Sequence, residues 1–495
     1  MTNVVVSRKN IVELFDVSKP FGYAAIVEDP VTHEVLYEVV ESTITEAEEE
    51  LFKTIRGFLV ETLDIIMSEL GSEEEAERYL REKVHEIIRT YRIRVDEKGL
   101  EKMLHYLTRD YVGYGRIDVM MRDPMIEDIS CNGVEVPIFI WHREHESIPS
   151  NVVFPSEEEL DSFIIRLAYR TGRMISIARP VLDATLPDGS RINMTLGREV
   201  TRHGSTFTIR KFRADPLTIT DMIRYNTVSS EMAAIFWYLI ENRHSIFVCG
   251  ATATGKTTLL NVFSSFIEPD MKIVTIEDTP ELQLHHKNWI RSVTRPSVGS
   301  SSQIDLFDLL KTSLRQRPDY IIVGEIRGQE AYTLFQAMAT GHLGMSTLHA
   351  DSVAAAIHRL ETEPMNIPRT LISGLNVITI QRRLEKEGRP IRRTVTVTEI
   401  VGIDPATDEI LSNEIFRWDA AADSYRYSGR SYLLEGIAKG LGLTMREVRD
   451  DIERRRMVLE WMARRGIRNF HDVTEIIRSY YADPDEVYRI TRVGT

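Results

Sequence analysis

The chain carries only two cysteines in 495 residues, Cys131 and Cys249. They cannot build a disulfide framework or a CxxC metal site, and thiols this sparse suit a reducing cytosol. Glycine and proline, 27 and 18 residues, are not in excess, which excludes collagen-like and low-complexity architectures. A long hydrophobic run is also missing. The longest, Met232–Ile240, is closed by Glu231 and Glu241, whereas a membrane span needs about 20 residues. Met1–Asn10 shows no basic segment followed by an apolar core, so no signal peptide is expected and the chain reads as soluble and cytoplasmic. Positive charge is not in surplus: 61 basic residues face 75 acidic ones, for a net −14. Direct nucleic-acid binding is therefore not expected.

The composition that remains, 43% hydrophobic and 27% charged, is that of an ordinary globular protein. At roughly 150 residues per domain the length allows about three folded units. Tyr23–Val27 and Glu34–Val39 alternate as a hairpin around Asp29 and Pro30. Leu51, Ile55, Phe58, Leu59, Leu63, Ile66 and Leu70 then form a helical stripe that Gly71 ends. Ser72 and Glu75 have capping-box spacing for the next helix. The runs Glu48–Glu50 and Glu73–Glu75 read as solvated helix starts. From Gly113 the pattern is mixed. Ile117–Met121, Pro137–Trp141 and Asn151–Phe154 are β-prone, Ser156–Tyr169 is helical, Pro187-Asp188-Gly189 marks a hairpin, and Thr206–Phe212 a strand. We expect a hairpin and helical subdomain over 1–105, a small α/β domain over 106–212, a linker over 213–220 and a larger α/β domain over 221–495. In the last part β-like and helical runs alternate, as in a parallel sheet.

Gly250-Ala251-Thr252-Ala253-Thr254-Gly255-Lys256-Thr257 matches GxxxxGK[ST]. Glycines let backbone N–H groups turn onto phosphate, the lysine supplies charge at the β and γ phosphates, and the threonine hydroxyl suits Mg²⁺. The context fits: Ser245–Cys249 reads as a buried strand, and Thr257–Phe266, with Thr258 in its first turn, as the following helix. Three further apolar runs end in chemistry-bearing residues: Ile273–Ile276 in Glu277-Asp278, Tyr320–Val323 in Gly324-Glu325, and Met345–Leu348 in His349. Ligands of open parallel sheets bind beyond the carboxyl ends of the strands, so one edge would gather all four groups. Glu325 is assigned to the metal and Glu277 to polarising water, with the opposite allocation left open.

At these residues the chain resembles the secretion ATPases of the type II/type IV pilus superfamily. The Asp box resembles Lys272–Leu282, the atypical Walker B Leu314–Gly328, and the His box, with His342 and His349, Thr340–Ser352. Weaker similarity reaches Gly113–Ile129. The resemblance is to an archaeal, GspE-like member, and it implies an α/β chain with a C-terminal RecA-like P-loop domain, preceded by a helical region and a PAS-like α/β domain. It further implies ATP and Mg²⁺ as cofactors and a homohexamer that pushes on a polytopic membrane protein. The four-cysteine zinc module of bacterial type II enzymes is absent, so no zinc is expected. Family members deliver arginines from the N-terminal domain, and Arg191 and Arg210 match that region, with Arg315 and Arg327 as alternatives. His349 would sense the γ-phosphate.

Other classes remain in view. A GTPase would show an NKxD guanine reader, which is not found after the loop, and a small-molecule kinase would work as a monomer. A nucleotide-gated scaffold with little hydrolysis would need neither Glu277 nor Glu325. Archaellum and conjugation or DNA-uptake motors share the same motifs. Arg454–Arg456 with Arg464 and Arg465 form a basic surface beside Val458, Leu459 and Met462, which reads either as a packed helix bundle or as a dock for a membrane partner.

Overall fold

In the first sheet β1 (Asn10–Ser18), β2 (Gly22–Glu28) and β3 (Val35–Glu41) pair antiparallel in that order, and the central strand buries the continuous apolar run Ala24–Val27. The computed structural model of the chain describes residues 10–18, 20–62, 72–213, 215–295, 303–386 and 389–493. The sequence reading found the β2–β3 hairpin, where Asp29 accepts from the N–H groups of Val31 and Thr32, and missed β1. Helices Glu46–Thr62, Glu73–Thr90 and Glu97–Tyr111 share their own core, built on Phe52, Ile55, Leu59, Leu80, Val84 and Leu107. Ser72 caps the second of them by accepting from the Glu75 N–H. The end of the expected stripe, Leu63, Ile66 and Leu70 with its stop at Gly71, lies outside the described residues.

The hairpin meets those helices through the Glu41–Arg109 pair and the rings of Phe21 and His105, but its core side chains pack elsewhere. Ala24, Ile26 and Tyr37 share a core with Ile129, Ile140, Phe163 and Ile209 of the α/β layer. The Tyr37 hydroxyl donates to Asp123 at 2.7 Å, and Asn151 bonds the backbone of Val39 through both its amide oxygen and nitrogen. That layer consists of β4 (Ile126–Cys131), β5 (Phe139–His142), β6 (Glu146–Pro149), β7 (Val181–Thr185), β8 (Arg191–Thr195) and β9 (Thr206–Arg210). The strands run in the order β6-β5-β4-β9-β8-β7, with helix Glu157–Arg170 packed in the same core. Two expectations fail here. Ile117–Met121 is helical, because Asp118 accepts from the Tyr114 N–H and pairs with Arg122 four residues on, a local capping pattern that outweighs β-propensity. Asn151–Phe154 is no strand; Glu146–Pro149 pairs with β5 instead.

The chain divides into two compact units, Met1–Arg213 and Ala214–Thr495. The end of the expected linker is already part of the second unit, since buried Thr218 caps helix Ile219–Arg224 against Asp221. The second unit is organised by a nine-stranded sheet. Its strands are β10 (Ile246–Gly250), β11 (Ile273–Glu277), β12 (Trp289–Val293), β13 (Tyr320–Val323), β14 (Leu343–Leu348), β15 (Val377–Lys386), β16 (Arg389–Ile403), β17 (Ile410–Asp419) and β18 (Ser424–Tyr427). They run in the order β12-β11-β13-β14-β10-β15-β16-β17-β18. The first six are parallel, and the last four form an antiparallel meander that begins at β15. Continuous apolar strands are buried on both faces, as parallel sheets require. One face carries helices Ser230–Glu241 and Lys256–Ser264 and the C-terminal helices; the other carries Leu306–Leu314, Glu330–Ala339 and Val353–Glu361.

The C-terminal segment is a packed bundle. Val458, Leu459 and Met462 lie in the core, and Arg455 is not on a basic surface: it is buried against the rings of Trp237, Tyr238 and Tyr480 and paired with Glu241 and Asp451. Among the described residues, no helix is long and apolar enough to cross a membrane. Tyr37→Phe should weaken the first unit by about 1–3 kcal/mol, because it strips a donor from the buried Asp123 carboxylate. Urea unfolding of the full chain measures this, and an unchanged midpoint would sink the docking of the hairpin.

Candidate nucleotide site

The loop between β10 and helix Lys256–Ser264 needs backbone that sheets and helices do not supply. Gly255 has φ +87° and caps the helix, and Ala253, a residue with a Cβ, has φ +61°. A Cβ on Gly250 would stand 2.6 Å from the Gln381 carbonyl and 2.6 Å from the Thr254 hydroxyl, so only glycine fits. Ala251, Thr252 and Ala253 are exposed, Thr257 and Thr258 half-buried, and Lys256 buried. The Lys256 ammonium donates to the Ala251 carbonyl at 2.8 Å and lies 3.5 Å from His349 Nδ1. The helix N-terminus follows this loop directly, a ready site for anionic phosphate.

The sheet brings the other groups to the same edge. β14 lies between β10 and β13, and β11 lies beyond β13. His349 therefore follows the strand next to the loop strand, with Glu325 one strand further and Glu277 the next. His349 Nε2 is 2.8 Å from Glu325 Oε1. With Nδ1 turned toward an ammonium, the neutral ring keeps its hydrogen on Nε2. Burial, and then the Lys256 charge, hold the imidazole below its ordinary pKa. Glu325 also accepts from Arg327, Nε at 3.0 Å, and the same guanidinium reaches Asp278 at 3.3 Å.

Glu277 is almost fully buried. Its Oε1 accepts from the N–H groups of Glu281 and Leu282, both at 2.8 Å, while Oε2 has no hydrogen-bond partner among the described residues and lies 3.9 Å from Arg291. Burial pushes its carboxyl up to about 7, although the two N–H groups and Arg291 pull the other way. Gly324 packs closely beside it, and a Cβ there would stand 3.3 Å from Glu277 Cγ, a tight approach. The Thr347 hydroxyl donates to the Gly324 carbonyl at 2.8 Å and locks the turn into Glu325. The Thr257 hydroxyl and the Glu325 carboxylate are hard oxygen ligands of the kind that suits Mg²⁺.

Some expected residues are elsewhere. His342 precedes β14, so a strand of six residues separates it from His349 by roughly 20 Å. Arg315 caps helix Leu306–Leu314 on the way into β13, at the end of the sheet away from the carboxylates. Arg191 and Arg210 belong to the first unit, where they are exposed cross-strand neighbours on β8 and β9. One residue was missed: Arg392 of β16 donates from Nε to the Ala253 carbonyl at 3.3 Å. Its only sequence signal was the clustering of Arg382, Arg383, Arg392 and Arg393, which no motif explains.

A sequence model of the family described as "Type II/IV secretion system protein" matches residues 114–457. The chain belongs to that family. An uncharacterized protein of Methanocaldococcus jannaschii is 38% identical over 467 residues, covering 90% of this chain and 85% of its own. The conjugal transfer protein TrbB of Rhizobium radiobacter is 29% identical over 290 residues, covering 56% of this chain and 86% of its own. The crystal structure of the pilus retraction motor PilT with bound ADP shares 22% identity over 57% of this chain and 80% of that one, with a TM-score of 0.41. The order found here, with one strand between the loop strand and the strand that ends in Glu325, is that of a RecA-like P-loop core within an α/β chain.

The buried carboxyl of Glu277 gives a pH test. Its folded-state pKa, about 7, exceeds the ordinary 4.5, so the stability it contributes is complete below 4.5 and is lost as pH rises through 7. Relative to Glu277→Gln, the unsubstituted protein should lose up to about 3 kcal/mol across that window. Denaturation curves at several pH values check this, and parallel curves for the two proteins would refute it.

Proposed function

We propose that the chain is a Mg²⁺-dependent ATP hydrolase that works as a homohexameric motor of a secretion or type IV pilus-like machine, on the cytoplasmic face of a membrane and against a polytopic membrane partner. One observation carries this reading: Lys256, Thr257, His349, Glu325 and Glu277 come together at one edge of adjacent parallel strands. Gly250 to Gly255 would wrap the phosphates with backbone N–H groups, and Lys256, Thr257 and Thr258 would hold them at the helix N-terminus. Thr257 and Glu325 would hold Mg²⁺, whose charge offsets that of the phosphates. Glu277, with one oxygen unclaimed and a pKa near neutrality, suits the acceptance of a proton from water.

Exposed neighbours, Arg191 and Arg210 present two cations on one sheet surface, which suits delivery to phosphate when units or subunits close. The relative named for conjugal transfer supports a transport role over a scaffold, and the relatives from Methanocaldococcus jannaschii support the archaeal branch. The conjugal transfer relative also favours a second reading, a DNA-transfer motor of the same mechanism.

Lys256→Ala should lower phosphate release by at least about a hundredfold, since this ammonium is the loop's own cation. His349→Ala should reduce turnover more mildly, as a linking rather than a gripping group. Turnover per protomer should rise with protein concentration if the ring is the active form. Phosphate release at several concentrations, with and without Mg²⁺, is the measurement; wild-type rates in Lys256→Ala would overturn the assignment.

A further inference from the structure

The hairpin of β15 and β16 runs beside the phosphate loop and sets four arginines in cross-strand pairs, Arg382 with Arg393 and Arg383 with Arg392. Like charges opposite one another are unfavourable in a hairpin, so each arginine calls for a separate reason. Arg393 has one. It is buried, pairs with Asp423 through Nε and Nη2, and donates to the Tyr225 carbonyl, which ties the hairpin to the helix before it. Arg392 is turned to the loop instead. Its Nε donates to the Ala253 carbonyl at 3.3 Å, and its Cδ lies 3.2 Å from where a Cβ on Gly255 would stand.

We propose that Arg392 is a positioning residue for nucleotide binding, which holds the Ala253 carbonyl outward so that the Thr254 N–H faces into the loop. In a planar trans peptide the C=O and the next N–H point in opposite directions. A guanidinium that captures the carbonyl from the hairpin side therefore aims the amide at the phosphates. The need is local: Ala253 sits at φ +61°, a region that residues with a Cβ seldom occupy without outside support. Gly255 makes room for the arm, as it combines φ +87° with the close approach of Arg392. This inference rests on the reading of the loop as a nucleotide site, and it adds that part of the grip comes from a strand no phosphate-loop motif includes.

Equilibrium binding of fluorescent ADP and of a non-hydrolysable ATP analogue to the full chain tests it. Arg392→Ala should weaken both ligands by a similar factor, about tenfold for one charge-assisted hydrogen bond. Arg392→Lys, which keeps a donor within reach, should recover part of that loss. Arg382→Ala, exposed on the opposite face of the hairpin, should bind as the unsubstituted protein does. A merely structural role would not yield this pattern, because it would lower the nucleotide-free melting temperature of Arg392→Ala, which should stay unchanged. Unaltered affinity in Arg392→Ala overturns the inference, as does a loss confined to the triphosphate or an equal loss in Arg382→Ala. Failure of the unsubstituted protein to bind either ligand would overturn the nucleotide reading, and this inference with it; binding by that protein alongside unaltered Arg392→Ala overturns the inference alone.

Discussion

A loop that cradles phosphate must turn its N–H groups inward, and neither strand nor helix geometry does that. The conformations at Ala253 and Gly255 and the crowding at Gly250 are of the kind this constraint requires. Such backbone persists only where its surroundings hold it. Here the support comes from both sides. β14 and β15 flank the loop strand, the Gln381 carbonyl closes on Gly250, and Arg392 takes the carbonyl of Ala253. The antiparallel meander added to the parallel core thus does more than lengthen the sheet, since its first hairpin bears on the loop.

The same edge carries alternating charge. Lys256 approaches His349, His349 approaches Glu325, Glu325 accepts from Arg327, and Arg327 reaches Asp278. With the imidazole neutral between Lys256 and Glu325, the charged side chains on either side of it still alternate in sign, which keeps the cluster tolerable at a partly buried rim. A phosphate oxygen would compete for the Lys256 ammonium with the Ala251 carbonyl and with His349. Anything that draws Lys256 away alters the field at His349, and through it the neighbourhood of Glu325. A neutral imidazole is well suited to that place, because it accepts on one nitrogen and offers a hydrogen on the other.

Much of this edge was legible in the sequence because a parallel sheet aligns its carboxyl ends. Four apolar runs ending in loop, Glu277, Glu325 and His349 needed only a shared direction to converge, and the sheet supplies it. The sequence also placed helix Glu157–Arg170, read there as Ser156–Tyr169. Where reading failed, a local or distant contact decided. Ile117–Met121 looks β-prone until Asp118 captures the Tyr114 N–H. Arg455 looks like a surface cation until three aromatic rings and two carboxylates from elsewhere enclose it. Arg392 is separated from Ala253 by well over a hundred residues, and no spacing rule spans that gap.

The proposed division of labour between the two glutamates follows from their surroundings. Residues whose environments differ this sharply mark separate acid–base roles in one site. Glu325 stands at the rim with Arg327 on one oxygen and His349 beside the other. Glu277 is enclosed, with one oxygen held by two N–H groups and the other without a donor among the described residues, and burial pushes its carboxyl up to about 7. A proton acceptor works best when its pKa lies near the working pH, and a carboxylate that holds a hard cation needs oxygens presented at the open rim. Gly324 lets both requirements be met by adjacent strands, because its missing Cβ allows Glu277 to pack against the turn that presents Glu325.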